Sequence, residues 1–274
     1  MKNPEYQATQ VGEVKDLGMV YQVNFSLSDS ITALANEGII HPYLVTPEET
    51  ARIRLAGVSN DWTRTCISPV AVKGENTILS KPSVFMDANL AVIAETAHKN
   101  GQYPTLPREF YEALKQQAIT QESLEPEDRT VHALSINGDY DLTPEMDDAR
   151  FILGKTTQEY FKRFNHKQIK LYDLSADDLS EDKCAVNYLW FYGPEGDSDL
   201  GCRYRLLHDL NGAFGVLKQS AEGALQNSGY TLSKVSDAVS QALPDVLTEV
   251  GLPAGIDLVG NTLEKRVLEK LRKQ

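Results

Sequence analysis

Cysteine is scarce in this chain. It has three, Cys66, Cys184 and Cys202, and no two stand in a Cys-x-x-Cys pair. That excludes a zinc knuckle or a thioredoxin-like centre built from neighbouring thiols. The strand-like run 184–192 predicts a hairpin through a loop at 193–201, with Tyr192 opposite Cys202 and Cys184 at the far end. A disulfide needs its two Cα atoms within about 7 Å, so all three thiols are expected to be free and buried. Long apolar runs are missing too. The strongest, at 188–192, is far shorter than the ~20 residues that span a bilayer. The opening residues lack the apolar segment of a secretory signal. Both absences point to the cytoplasm and to no membrane span.

Positive charge is the third shortage. Lys and Arg number 27 against 39 Asp and Glu, a net charge of −12. Residues 121–148 hold nine acids and one base, Arg129. Only the tail is basic: Lys265, Arg266, Lys270, Arg272 and Lys273 outnumber Glu264 and Glu269. Nucleic-acid binding draws most of its non-specific affinity from a basic face, so nucleic acid is disfavoured as a partner.

What is present is punctuated secondary structure. Alternation of Tyr21, Val23, Phe25 and Leu27 with polar residues predicts a strand. A helix follows over 28–37, with Gly38 at its C-terminus. At 46–57, Thr46 caps a helix, Pro47 fills its first turn, Glu49 completes a capping box and Gly57 stops it. Residues 63–72 predict one strand. Helices are expected over 87–101 and from Pro107 onward. The acidic, proline-containing stretch 120–129 is the best domain boundary. It divides an N-terminal α/β region, 1–122, from a strand-rich region with C-terminal helices, 123–274, although the two could form one continuous domain. After the boundary, strands are expected near 130–136, 168–174, 184–192, 202–207 and 213–218, and helices near 144–153 and 157–165. The helical C-terminus carries one apolar stripe through Val235, Val239, Leu243 and Leu247, and another through Leu263, Val267, Leu268 and Leu271. Strands and helices do not alternate strictly. The fold class is therefore α+β, a mixed, largely antiparallel sheet with flanking helices.

Two stretches could carry chemistry. Gly-Asp-Tyr-Asp-Leu at 138–142 returns as Gly-Asp-Ser-Asp-Leu at 196–200. Carboxylates two apart share a face of an extended chain. Asp139, Asp141, Asp197 and Asp199 could together hold Mg²⁺ or Mn²⁺, which prefer oxygen ligands. Asp and Gly are also what ordinary turns require. The segment Asp139–Thr143 resembles the Asp-x-Asp-x-Thr motif of the haloacid dehalogenase-like phosphatases. Gly196–Asp199 looks like that family's acidic metal-binding motif, and Ser175 and Lys183 fall between them in the family's order. The resemblance covers 139–199. It implies a nucleophilic Asp139, an acid/base Asp141, phosphate contacts from Ser175 and Lys183, and a metal on Asp197 or Asp199. Ser198 also sits in a Gly-Asp-Ser context like that of certain esterases, but no Asp-x-x-His follows it to supply a base.

Two functions from different classes stand. One is a non-catalytic, acidic cytoplasmic binding or assembly protein acting through protein–protein contacts, with a protein partner or a second copy engaged by the C-terminal helices. The other is a divalent-metal-dependent phosphoester hydrolase using the paired Asp loops.

Overall fold

The computed structural model describes residues 7–39, 44–86, 94–97, 100, 102–193, 199–202 and 212–217. All lie in one compact unit, Met1–Lys218. The two C-terminal amphipathic stretches lie outside the described residues, as does most of the helix expected at 87–101.

The fold is α+β, with two mostly antiparallel sheets. A hairpin opens the chain: β1 (Thr9–Val14) pairs antiparallel with β2 (Gly18–Val23). Helix α1 (Leu27–Asn36) begins where the sequence pattern would have continued the strand. Ser26 accounts for the switch, because its hydroxyl accepts the Asp29 N–H and caps the helix. Gly38, at φ +82°, ends it in the left-handed region that glycine enters freely. Helix α2 (Pro47–Leu55) has the expected capping box: Thr46 Oγ1 accepts the Glu49 N–H at 3.0 Å, and Glu49 Oε2 accepts the Thr46 N–H at 2.8 Å.

Residues 63–72 divide between two sheets. β3 (Thr63–Arg64) belongs to the larger sheet and β4 (Ser68–Ala71) to the smaller. The smaller sheet continues through β5 (Ile78–Ser80), β6 (Thr105–Pro107) and β7 (Val131–Ala133). Helix α3 (Arg108–Thr120) buries Tyr111, Leu114 and Ala118. The run 184–192 divides in the same way: β10 (Lys183–Val186) is in the smaller sheet and β11 (Trp190–Phe191) in the larger.

These two runs lie antiparallel and switch sheets together. β4 pairs β10 and β3 pairs β11. Between them the ladder continues through Asn187 N–H to Pro69 O, Leu189 N–H to Ile67 O and Thr65 N–H to Leu189 O. Side chains alternate across the strand. Val186, Tyr188 and Trp190 therefore enter one core, and Ala185, Leu189 and Phe191 enter another. Both faces are covered, which explains why this run is apolar on both faces except for Asn187, whose amide donates to the Cys202 carbonyl. Cys66 and Cys184 lie in the first core and Cys202 in the second; all three are unbridged.

The larger sheet is completed by β8 (Tyr140–Leu142), β9 (Ile169–Tyr172), β12 (Asp199–Gly201) and β13 (Ala213–Leu217). Helices α4 (Asp147–Leu153) and α5 (Thr157–Arg163) add Phe151, Ile152, Leu153, Tyr160 and Phe161 to the second core. The expected hairpin is present, but its register differs. Trp190 faces Gly201 and Phe191 faces Leu200, so the second strand starts before Cys202. Both sheets draw strands from either side of residue 122.

Candidate functional site

The first pentapeptide and the last two residues of the second flank one strand. β8 lies on one side of β9 and β12 on the other. Asp141 stands opposite Lys170 in antiparallel register, and Asp199 stands opposite the same Lys170 in parallel register. Asp197 lies outside the described residues.

Asp139 is engaged with the neighbouring strand end: its Oδ1 accepts the Asp173 N–H at 2.9 Å. Asp173 is buried, at 2% exposure. It replies by accepting the Gly138 N–H on Oδ2 at 2.9 Å and the Leu174 N–H on Oδ1 at 2.7 Å. Gly138, at φ +100°, takes a backbone that a side chain would strain. Asp141 pairs with Lys170 Nζ at 3.4 Å and accepts the Gln168 amide at 2.9 Å. The exposed Ser175 hydroxyl donates to Asp177 Oδ2 at 2.9 Å, a local turn after β9. Lys183 begins β10 opposite Pro107, in the smaller sheet, whereas Asp139 and Asp141 belong to the β8 end of the larger one. Among the described residues, no three His, Cys, Asp or Glu side chains gather as a metal ion would require.

A second polar constellation was not anticipated from sequence. Asp148 is fully buried in α4. Its carboxylate takes His132 Nε2–H at 2.7 Å, the Tyr140 hydroxyl at 2.6 Å, the Ser135 hydroxyl at 3.1 Å and the Ser135 N–H at 3.2 Å. With Nε2 donating, His132 Nδ1 accepts from Arg129 Nη1 at 3.2 Å. Burial pushes the Asp148 pKa upward, but the hydrogen bonds from His132, Tyr140 and Ser135 outweigh it and hold the carboxyl below its ordinary range. Burial, together with the neighbouring Asp148 charge, raises the Tyr140 hydroxyl far above its ordinary value. Ser, His and Asp meet here, but the serine hydroxyl bonds the aspartate rather than the imidazole. A nucleophile needs its base within hydrogen-bond reach. This cluster instead ties α4, β7 and β8 together. Its one sequence signal was an Asp-Asp pair at a helix start, which reads equally well as ordinary N-terminal acids.

A third feature is an aromatic pair at the surface. Trp62 is 49% exposed, and its ring meets Tyr192 edge-on, centroids 5.0 Å apart and planes at 78°. The strand periodicity carried no hint of it, because the two residues lie on separate runs.

No protein-family model and no curated protein matches the chain. Among solved structures, it is similar to a chain described as "Accommodation of massive sequence variation in Nanoarchaeota by the C-type lectin fold", at 14% identity and a TM-score of 0.47, over 78% of this chain and 98% of that one. Among the described residues, no helix is long and apolar enough to cross a membrane.

Proposed function

We propose that this is a non-catalytic binding or assembly protein that works through protein–protein contacts. The observation that carries this reading is the use made of Asp139: its carboxylate closes the β8–β9 junction on the Asp173 N–H. An Asp held in this way closes a strand junction, the structural use that turn-forming aspartates commonly have. Asp141 and Ser175 are likewise engaged, with Lys170, Gln168 and Asp177. The net charge of −12 favours a basic partner, and the apolar periodicity of the C-terminal sequence, which lies outside the described residues, suits contact with a second copy of the chain.

Sedimentation of the full chain tests the assembly. An oligomer is expected, and Leu268→Asp should shift it to monomer. The metal-dependent hydrolase is tested by melting in millimolar Mg²⁺, Mn²⁺ or Ca²⁺ at fixed ionic strength. A bound ion at a hundred times its dissociation constant adds about 2.7 kcal/mol. The binding-protein reading expects no shift. A shift abolished by Asp139→Asn or Asp197→Asn would replace it with the hydrolase, with Mg²⁺ or Mn²⁺ on Asp139, Asp141, Asp197 and Asp199.

A further inference from the structure

A buried arginine holds the Trp62–Tyr192 corner in place. Arg54 is 2% exposed. Its Nη2 donates to the Asp61 carbonyl at 3.0 Å and to the Phe191 carbonyl at 2.9 Å. Those are the residues immediately before Trp62 and Tyr192. Its Nη1 donates to the Tyr160 hydroxyl at 3.0 Å, and its guanidinium lies 4.0 Å from the Phe191 ring centre. One cation thus ties together the two backbone segments that present the exposed Trp62 ring and the partly buried Tyr192 ring. β3 and β11 are themselves paired, Phe191 against Thr63.

A glycine seats one ring. A Cβ on Gly201 would lie 2.6 Å from the Tyr192 hydroxyl, so a side chain there would push the tyrosine from its place. The corner is therefore built before any partner arrives, which lowers the ordering cost of binding.

Its chemistry is selective. Ring faces carry negative quadrupole charge and attract cations. The adjoining Asp61 is exposed and held by the Gln22 amide at 2.7 Å. The whole chain adds a net charge of −12. An exposed indole packed on a partly buried tyrosine, with an exposed aspartate next to it in sequence, is not an extended apolar groove. It matches a single cationic group with an alkyl or planar body.

We infer that the Trp62–Tyr192 corner, with Asp61, receives an arginine or lysine side chain from a basic segment of a protein partner. This rests on the binding-protein reading above and specifies its surface.

The test uses the full chain and the peptide tetra-arginine at fixed ionic strength. Trp190 is fully buried, so a change in tryptophan emission reports on Trp62. A saturable change is expected, with no response to tetra-citrulline, which has nearly the same shape without the charge. By calorimetry, Trp62→Ala should weaken binding about two- to fivefold, the cost of losing a ring–cation contact at an exposed site. Trp62→Phe keeps a ring and should retain part of the affinity. Asp61→Asn should weaken binding several-fold, and Glu122→Gln, a distant surface acid, should leave it unchanged. Equal affinity in Trp62→Ala and the parent chain would overturn the inference, since only the diffuse charge would then be at work. Absence of binding would overturn it as well, and so would saturable binding of maltotetraose in place of the peptide. If tetra-arginine fails while Leu268→Asp still dissociates an oligomer, the corner assignment falls and the assembly reading stands.

Discussion

Asp148 and Asp141 belong to the same small neighbourhood, one on α4 and the other on the strand β8 that α4's carboxylate reaches through Tyr140. Both are carboxylates with a nitrogen donor in range. Asp148 is fully buried and takes hydrogen bonds from three residues. Asp141 has a side chain 41% exposed and meets Lys170 at 3.4 Å. Removed from water, a carboxylate is tolerable only when its oxygens are satisfied, and each donor it satisfies would otherwise be orphaned. Left in water, it has little to gain from one ion pair. The difference separates a carboxylate that organises the fold from one that decorates an edge.

The sharpest way to break this contrast is Asp148→Ala. It strands the His132, Tyr140 and Ser135 donors in the interior and should cost roughly 3–5 kcal/mol, since each buried donor left without an acceptor costs about 1–3 kcal/mol. Urea unfolding of the variant measures it; a cost below about 1 kcal/mol would mean that water reaches the cluster. Tyr140→Phe removes one charge-assisted donor and keeps the ring's packing, for about 1.5–3 kcal/mol.

Acid and alkaline titration should sharpen it further. The folded pKa of Asp148 is depressed. Its stabilisation is thus present above the unfolded value of about 4 and is lost as pH falls through the lower folded value. The folded pKa of Tyr140 is raised. Its contribution is complete below the unfolded value of about 10 and declines as pH rises beyond it. Melting across pH should show both limbs, and Tyr140→Phe should remove its share of the alkaline one. At the small end, Asp141→Asn should change stability by less than about 1 kcal/mol, and 1 M salt should erase the difference. A larger effect would place Asp141 with Asp148, as a structural carboxylate.

Local chemistry was readable wherever neighbours in sequence decided the outcome. The helix at 47–55 follows from Thr46, Pro47 and Glu49 alone, because a capping box closes within one turn. The buried state of 184–191 follows from its apolar run. Other features were hidden for a common reason. Runs 63–72 and 184–192 each read as one strand, since an apolar stretch does not record the point at which it leaves one sheet for another. Residues 140–142 read as part of a turn, because Asp139 and Asp141 are turn-formers, yet Tyr140 and Leu142 are buried and pair with β9. The hairpin register, Phe191 against Leu200, was not fixed by the apolar pattern of the first strand alone.

The site residues divide along the same line. Asp139 and Asp141 stood out in sequence because their spacing repeats, and that Asp141 and Asp199 flank Lys170 is a matter of sheet order. Asp148, His132 and Arg54 gave no usable signal. Their partners lie far along the chain, Arg54 reaching Tyr160 and Phe191, and pairing of that kind leaves no periodicity.

By itself the sequence determined the composition of the surface, the α+β class, the helix caps and the identity of the apolar runs, because propensity, capping and alternation act over a few residues. Only the tertiary structure decided which strands are neighbours, which carboxylate is buried, and that Trp62 and Tyr192 form one corner over a buried arginine. Those depend on contacts between distant segments, whose energies come from burial and from the satisfaction of polar groups removed from water.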